Sequence, residues 1–290
     1  MLIFLALGAG LDYHYGAGAR MPLFTVITFL IALAMSWSGY RYGDRLVLSS
    51  TRARELDLSD PKQKQWANIL EEVSIAGGLP LPKAYIIDDP DPNAFATGRD
   101  PAHASIAVTR GLLDALSRDE LQGVAAHEMS HIRNFDIRLM LLVAVLVGSI
   151  ALLADWTGRM LFLRGRRRSE NSKSGPAALI FLVIWLVAVI LAPILSRMMA
   201  MCVSRRRESL ADASAAELTR NPLALAAALE KIDSRVEPTR SINQGTAHLC
   251  IADPTGSALN AKQGRWANLF ATHPPIEQRI AALRQMAYAR

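Results

Sequence analysis

His127-Glu128-Met129-Ser130-His131 sets two histidines four residues apart, with a carboxylate directly after the first. On a helix, such a pair lies on one face, one turn apart. Both imidazoles then reach a single metal ion, and Zn²⁺ favours nitrogen ligands in a tetrahedral shell. Glu128, offset around the helix, is placed to hold and deprotonate a metal-bound water, the arrangement used in zinc-dependent peptide hydrolysis. A surface helix carrying polar residues would show the same five letters, but the flanking sequence argues against it. Ser117 with Glu120 three residues on forms a capping box, and Leu121, Val124, Ala125, Glu128, Met129 and Ile132 recur at helical spacing.

A peptidase zinc takes a third protein ligand and keeps one position open. Glu208 and Asp212, in Arg207-Glu208-Ser209-Leu210-Ala211-Asp212, share one face of a helix expected to run to about Leu218. One carboxylate can bind metal while the other receives the N–H of a ligand histidine and sets its tautomer. An ordinary acidic helix surface, answering the arginines before it, has the same spacing.

The elements around these residues include long apolar runs. Of 290 residues, 51% are hydrophobic, high for a soluble protein. Pro22–Tyr40 carries no charge and is long enough to cross a bilayer, as are Leu139–Leu163, interrupted by Asp155 and Arg159, and Ala177–Leu195. Residues 1–18 hold a shorter apolar run, Met1–Leu11, without the basic start of a signal peptide, and read either as a short span or as an interfacial segment. Arginines 41, 45, 52, 54, 133, 138, 197, 205, 206 and 207 flank the spans on the side that carries the histidines. The positive-inside rule puts that side in the cytoplasm. Arg164, Arg166, Arg167 and Arg168 run against the rule if 139–200 forms a hairpin that crosses fully. The net charge of +6 is concentrated at membrane ends, which fits anionic lipid and not nucleic acid. Cys202 and Cys250 form neither a CxxC pair nor a disulfide framework, consistent with a reducing face.

Taken together, HExxH, a hydrophobic hairpin and Arg205-Arg206-Arg207-Glu208-Ser209-Leu210-Ala211-Asp212 resemble the HtpX-type membrane zinc metalloproteases, relatives of the CAAX prenyl endoproteases. Pro92-Asn93-Ala94-Phe95-Ala96-Thr97-Gly98, Ala107–Leu113 and Thr272-His273-Pro274-Pro275-Ile276-Glu277-Gln278-Arg279-Ile280 resemble further segments of that family, in family order over about residues 20–285. The start departs, with about half of the usual first span. The resemblance implies a mainly α fold with a small β-sheet, an α+β zincin-like metalloprotease domain, plus transmembrane helices. It makes His127, His131 and Glu208 ligands of one Zn²⁺ per chain, Glu128 the general base, and Asp212 the carboxylate behind a ligand histidine. The tetrahedral oxyanion of such a peptidase needs a donor besides the metal, which His273 or Arg279 could supply; a structural role, holding the loop before Pro274-Pro275, is the alternative for His273. It further implies polypeptide substrates, membrane proteins among them, and quality control of misfolded chains in a bacterial plasma membrane. CAAX-type processing and a non-hydrolytic adaptor with a vestigial metal site are the alternatives.

The expected organisation is a membrane region over 1–40, a first part of the cytoplasmic peptidase domain over 41–138, a transmembrane hairpin over 139–200, and a second part over 201–290. The first part should contain a helix near Pro61–Ile75 and a small sheet. In it, extended Asn93–Thr97 follows the turn-rich Asp88–Pro92, with Ala84–Ile87 and Ser105–Thr109 as its neighbours. A free edge at Asn93, Ala94 and Phe95 could bind substrate backbone by strand addition. In the second part, Asn221 caps a helix that Pro222 opens, running to about Ile232, and another follows from Pro275 to about Tyr288. Gly245–Gly264 reads as a loop region.

Overall fold

The computed structural model describes residues 22–143, 205–234 and 275–288, with the single positions 5, 8, 9, 12, 190, 250 and 251. Residues 1–43 and 44–290 form two compact units. Helix α1 (Leu23–Ser50) begins in the first. The Asp12 carboxylate accepts from the Phe24 and Thr25 backbone N–H groups at 2.9 and 2.8 Å, satisfying donors that a helix start leaves unpaired. The 28 residues of α1 rise roughly 42 Å, against a hydrocarbon core of about 30 Å. Leu30, Leu33 and Trp37 are exposed on it, and α1 is the one helix among the described residues long and apolar enough to cross a membrane. It continues ten residues past Tyr40, because Arg41, Asp44 and Arg45 end an apolar run without breaking backbone hydrogen bonding. Residues 136–143 are helical, while the rest of 139–163 and of 177–195, Ile190 aside, lies outside the described residues.

The second unit contains a four-stranded sheet of β1 (Arg54–Glu55), β2 (Lys83–Ile87), β3 (Ala94–Gly98) and β4 (Ala104–Thr109), in the order β1-β2-β4-β3. β2 and β4 are parallel, and the two outer pairings are antiparallel. Ala84–Ile87 is therefore not a neighbour of the Asn93–Thr97 segment. β4 lies between them, with Ala94 opposite Val108 and Ala96 opposite Ile106. Composition marks each segment as a strand, but which strands pair is settled by packing.

The helices follow local signals closely. Asp60 accepts from the Lys62 and Gln63 N–H groups to start α2 (Pro61–Gly77), and Gly78, at φ 62°, ends it in the left-handed region. α3 (Arg110–Ala115) is short, and α4 (Arg118–Arg133) opens on the capping box of Ser117 and Glu120. α5 (Arg205–Thr219) starts three residues before Glu208. Asn221 caps α6 (Pro222–Asp233), and α7 is Ile276–Tyr288. Trp66, Ile69 and Leu70 of α2, Ile106 and Val108 of β4, Leu121, Val124 and Met129 of α4, Leu225 and Leu229 of α6 and Leu283 of α7 form the main core. A second cluster joins Val47 and Leu48 with Ile87, Phe95, Ala107, Met140, Leu141 and Cys250. Successive side chains of a strand face opposite ways, so Phe95 belongs to one cluster while Ala94 and Ala96 belong to the other. Gly123 lets α6 approach α4 closely, since a Cβ there would meet the Leu225 Cα and N at 3.0 Å.

Candidate metal centre

α4 is held at its start on two sides. Glu120 accepts from the Ser117 N–H at 2.7 Å and from Lys231 Nζ of α6, also at 2.7 Å. Two turns on, His127 and His131 project side by side with their Nε2 atoms 3.2 Å apart. Two nitrogens bound to one zinc at roughly 2.0–2.1 Å in a tetrahedral shell stand about 3.3 Å from each other. Glu208, from α5, brings one carboxylate oxygen to 3.6 Å from His127 Nε2 and the other to 3.6 Å from His131 Nε2. The ligand atoms of these three buried residues lie within 4.8 Å of one another, a possible metal site assembled from two segments far apart in the chain.

Each imidazole is backed by a carboxylate. His127 Nδ1 lies 3.0 Å from Asp212 Oδ1, and His131 Nδ1 lies 3.0 Å from Asp136 Oδ2. A proton on Nδ1, donated to the carboxylate, leaves the Nε2 lone pair for a metal. Each carboxylate is in turn gripped by an arginine. Arg279 Nε donates to Asp212 Oδ2 at 2.9 Å and Nη2 to Oδ1 at 2.7 Å, while Arg207 Nη1 donates to Asp136 Oδ1 at 2.7 Å. Arg279 Nη1 also donates to the Ile251 carbonyl at 3.2 Å and stands 3.4 Å from Glu208 Oε2.

Glu128 is buried beside the ligands, accepts the Ala96 N–H of β3, and has no hydrogen-bond partner for Oε2 among the described residues. Burial pushes its carboxyl up to about 7, with the Glu208 charge adding to the effect against the pull of His131, the Ala96 N–H and Arg279. A carboxyl poised near neutrality suits proton transfer. Burial opposes ionisation of Asp212 as well, yet Arg279 and His127 hold its carboxyl well below the usual range. Burial lowers His127. His131 rises to about 9 despite its burial, because Asp136, Glu208 and Glu128 all favour its charged form.

The donor chemistry fits a divalent ion, and so does the charge. Glu128, Glu208, Asp136 and Asp212 are buried carboxylates, answered among the described residues by two guanidinium groups, those of Arg207 and Arg279. With both imidazoles neutral, as ligation requires despite the raised His131, and all four carboxylates ionised, these groups sum to two negative charges. Uncompensated buried charge is disfavoured by several kcal/mol per ion, and a divalent cation removes both.

Of the residues singled out in the sequence, the structure brings together His127, Glu128, His131, Glu208, Asp212 and Arg279. His273 lies outside the described residues. Asn93 is buried, its Oδ1 accepting the Ala94 N–H at 3.0 Å. The Phe95 ring is buried in the second cluster. β3 is the sheet's outer strand, but its edge is not free at Ala94, whose carbonyl accepts the Ile251 N–H at 3.0 Å while Phe95 bridges Cys250. Asp136 and Arg207 were not legible as site residues. Asp136 follows His131 by five positions, off the helical i+4 spacing, and Arg207 reads as one of several membrane-flanking arginines.

Buried histidines and a glutamate converging on one point, with a free carboxylate oxygen beside them, define a metal-dependent hydrolase. Residues 60–287 match the model of peptidase family M48. A protease HtpX homolog of Dictyoglomus turgidum is 44% identical over 264 residues, covering 90% of this chain and 81% of that protein. Another, from Caldanaerobacter subterraneus subsp. tengcongensis, is 43% identical over 293 residues, covering 98% and 91%. The crystal structure of S. mikatae Ste24p is similar in fold, with a TM-score of 0.52 at 19% identity; the match covers 97% of this chain and 62% of Ste24p. The chain belongs to peptidase family M48 and is a metalloendopeptidase.

Proposed function

We propose that the chain is a multi-pass membrane zinc endopeptidase acting at the cytoplasmic surface on misfolded or membrane-associated polypeptides. The observation that carries this reading is the convergence of His127 Nε2, His131 Nε2 and the Glu208 carboxylate next to Glu128 Oε2. His127, His131 and Glu208 would hold the ion. Zinc bound there supplies Lewis acidity, which polarises the scissile carbonyl and acidifies a water. Glu128 Oε2 takes the proton of the attacking water and later delivers it to the leaving nitrogen, and the Ala96 N–H orients the carboxylate for both transfers. Asp212 holds the His127 tautomer, and Arg279 anchors Asp212.

The length of α1 and its exposed apolar side chains support membrane insertion. The charge-free runs at 139–163 and 177–195 and the arginines beside them support further spans with the site in the cytoplasm. A site whose ligands come from the two flanks of a hydrophobic insertion sits close to the bilayer, which favours substrates in or near it. An incoming strand would lie along β3 toward Gly98, past the position that Ile251 occupies at Ala94.

The test is cleavage of an unfolded protein by the detergent-solubilised, zinc-loaded chain, beside its Glu128→Gln variant. The expected result is cleavage by the wild type, lost in the variant while its zinc is retained. Cleavage surviving in Glu128→Gln would remove Glu128 from its role. A folded, zinc-bound wild type that cuts only a prenylated peptide would favour CAAX-type processing, and one that cuts nothing would favour the adaptor reading.

A further inference from the structure

The structure assigns Asp136 and Arg207 to a positioning pair that holds His131 in its metal-binding orientation and ties the two flanks of the 139–200 insertion to that ligand. The inference rests on the reading of His127, His131 and Glu208 as metal ligands. Asp136 is buried, with its two oxygens divided between two partners. Oδ2 accepts from His131 Nδ1 at 3.0 Å, and Oδ1 accepts from Arg207 Nη1 at 2.7 Å. Arg207 sits one residue before the ligand Glu208, at the start of α5. One carboxylate thus links the histidine ligand of α4 to the helix that carries the glutamate ligand.

The backbone is bent to make this contact. α4 ends at Arg133, and Phe135 stands at φ 59°, in the left-handed region that a bulky side chain rarely enters. Its N–H bonds back to the Ile132 carbonyl at 3.2 Å, closing the turn. The Phe135 side chain itself is half exposed. The turn carries Asp136 back beneath His131, where a straight continuation of α4 would have carried it away. Strain of this kind persists where the surrounding structure holds it in place, and it concentrates at functional sites.

The arrangement repeats what surrounds the other histidine. His127 is held by Asp212 and Arg279, and His131 by Asp136 and Arg207, so both Nδ1 atoms face carboxylates and both Nε2 atoms face Glu208. The two halves differ in exposure: Arg279 is buried, whereas the Arg207 side chain is 40% exposed. A displacement of either flank, at Asp136 or at Arg207, is therefore felt directly at His131.

The experiment measures Zn²⁺ affinity by competition with a chromogenic chelator, using the full chain in detergent, with folding checked by thermal unfolding. Asp136→Ala should weaken zinc binding about 10–100-fold, the range for losing a carboxylate behind a ligand histidine. Asp136→Asn keeps an oxygen acceptor for Nδ1 and should lose less. Arg207→Ala should lose less than Asp136→Ala, and Arg207→Lys should recover most of that loss. A purely structural role would lower the melting temperature without this order in affinity. Wild-type affinity in a folded Asp136→Ala overturns the pair. If that variant does not fold, unchanged affinity in both Asp136→Asn and Arg207→Ala overturns it instead. A wild-type chain that binds no zinc, or a Glu208→Ala variant that binds it as tightly as wild type, overturns the metal site itself, an outcome distinct from failure of the pair alone.

Discussion

Arg279→Met separates two roles for this guanidinium: anchoring Asp212, or donating to the substrate oxyanion. Arg279 is 3% exposed and Asp212 2%, so their two-pronged contact is shielded from solvent. Methionine fills much of the volume but leaves Asp212, among the described residues, with the His127 Nδ1–H as its remaining partner and no charge to answer its own. Breaking a buried ion pair by removing one partner costs about 3–5 kcal/mol. Loss of the bond to the Ile251 carbonyl adds about 1 kcal/mol, which places the expected destabilisation near the top of that range. At roughly 2–4 °C per kcal/mol for a chain of this size, the melting temperature should fall by about 10–20 °C. The double variant Arg279→Met/Asp212→Asn removes both charges and should recover at least half of the loss, since neither side is then left as a lone buried ion. Circular-dichroism melts in detergent and zinc content measured on the same samples read both effects. A melting temperature within about 2 °C of wild type would refute the anchoring argument. If cleavage then falls while zinc is retained, the guanidinium acts on substrate.

Other perturbations test the frame around the site. Glu208→Ala should lower zinc retention during dialysis against chelator, and unchanged metal content would place the third ligand elsewhere. Glu120→Gln should cost about 0.5–1.5 kcal/mol at pH 7, discounted for the half-exposed Lys231 partner. Burial raises the Glu120 carboxyl, but Lys231 and the Ser117 N–H outweigh it, so the folded value is depressed. The stabilisation is therefore present above the unfolded carboxyl range and lost as pH falls through the folded value. The gap between wild type and Glu120→Gln in urea unfolding should accordingly close in acid, and a gap that widened would contradict the assignment. Gly123→Val should cost about 1–3 kcal/mol by forcing α6 away from α4, measured by the same unfolding; a neutral result would mean that the crossing tolerates separation.

The features readable from residue spacing were those with a fixed local period. His127 and His131 meet because a helix returns to the same face after one turn, and the start of that helix is written in Ser117 and Glu120. Asn221 with Pro222, and Glu208 with Asp212, were legible for the same reason. Recognition of several segments in one order then separated the roles of Glu208 and Asp212, which spacing alone left open. Nothing local announced the rest. The sheet order places β4 between β2 and β3, a choice made by which faces pack on the helices. The Ala96 N–H meets Glu128 because β3 lies at the outer edge against α4, and Ile251 covers Ala94 from a segment more than 150 residues away. Asp136 serves His131 only because the chain reverses at Phe135, and Arg207 finds Asp136 across 71 residues. A backbone repeat projects the ligands from sequence. The partners that hold those ligands in place depend on distant segments packing together, so only the folded chain brings them within hydrogen-bonding distance.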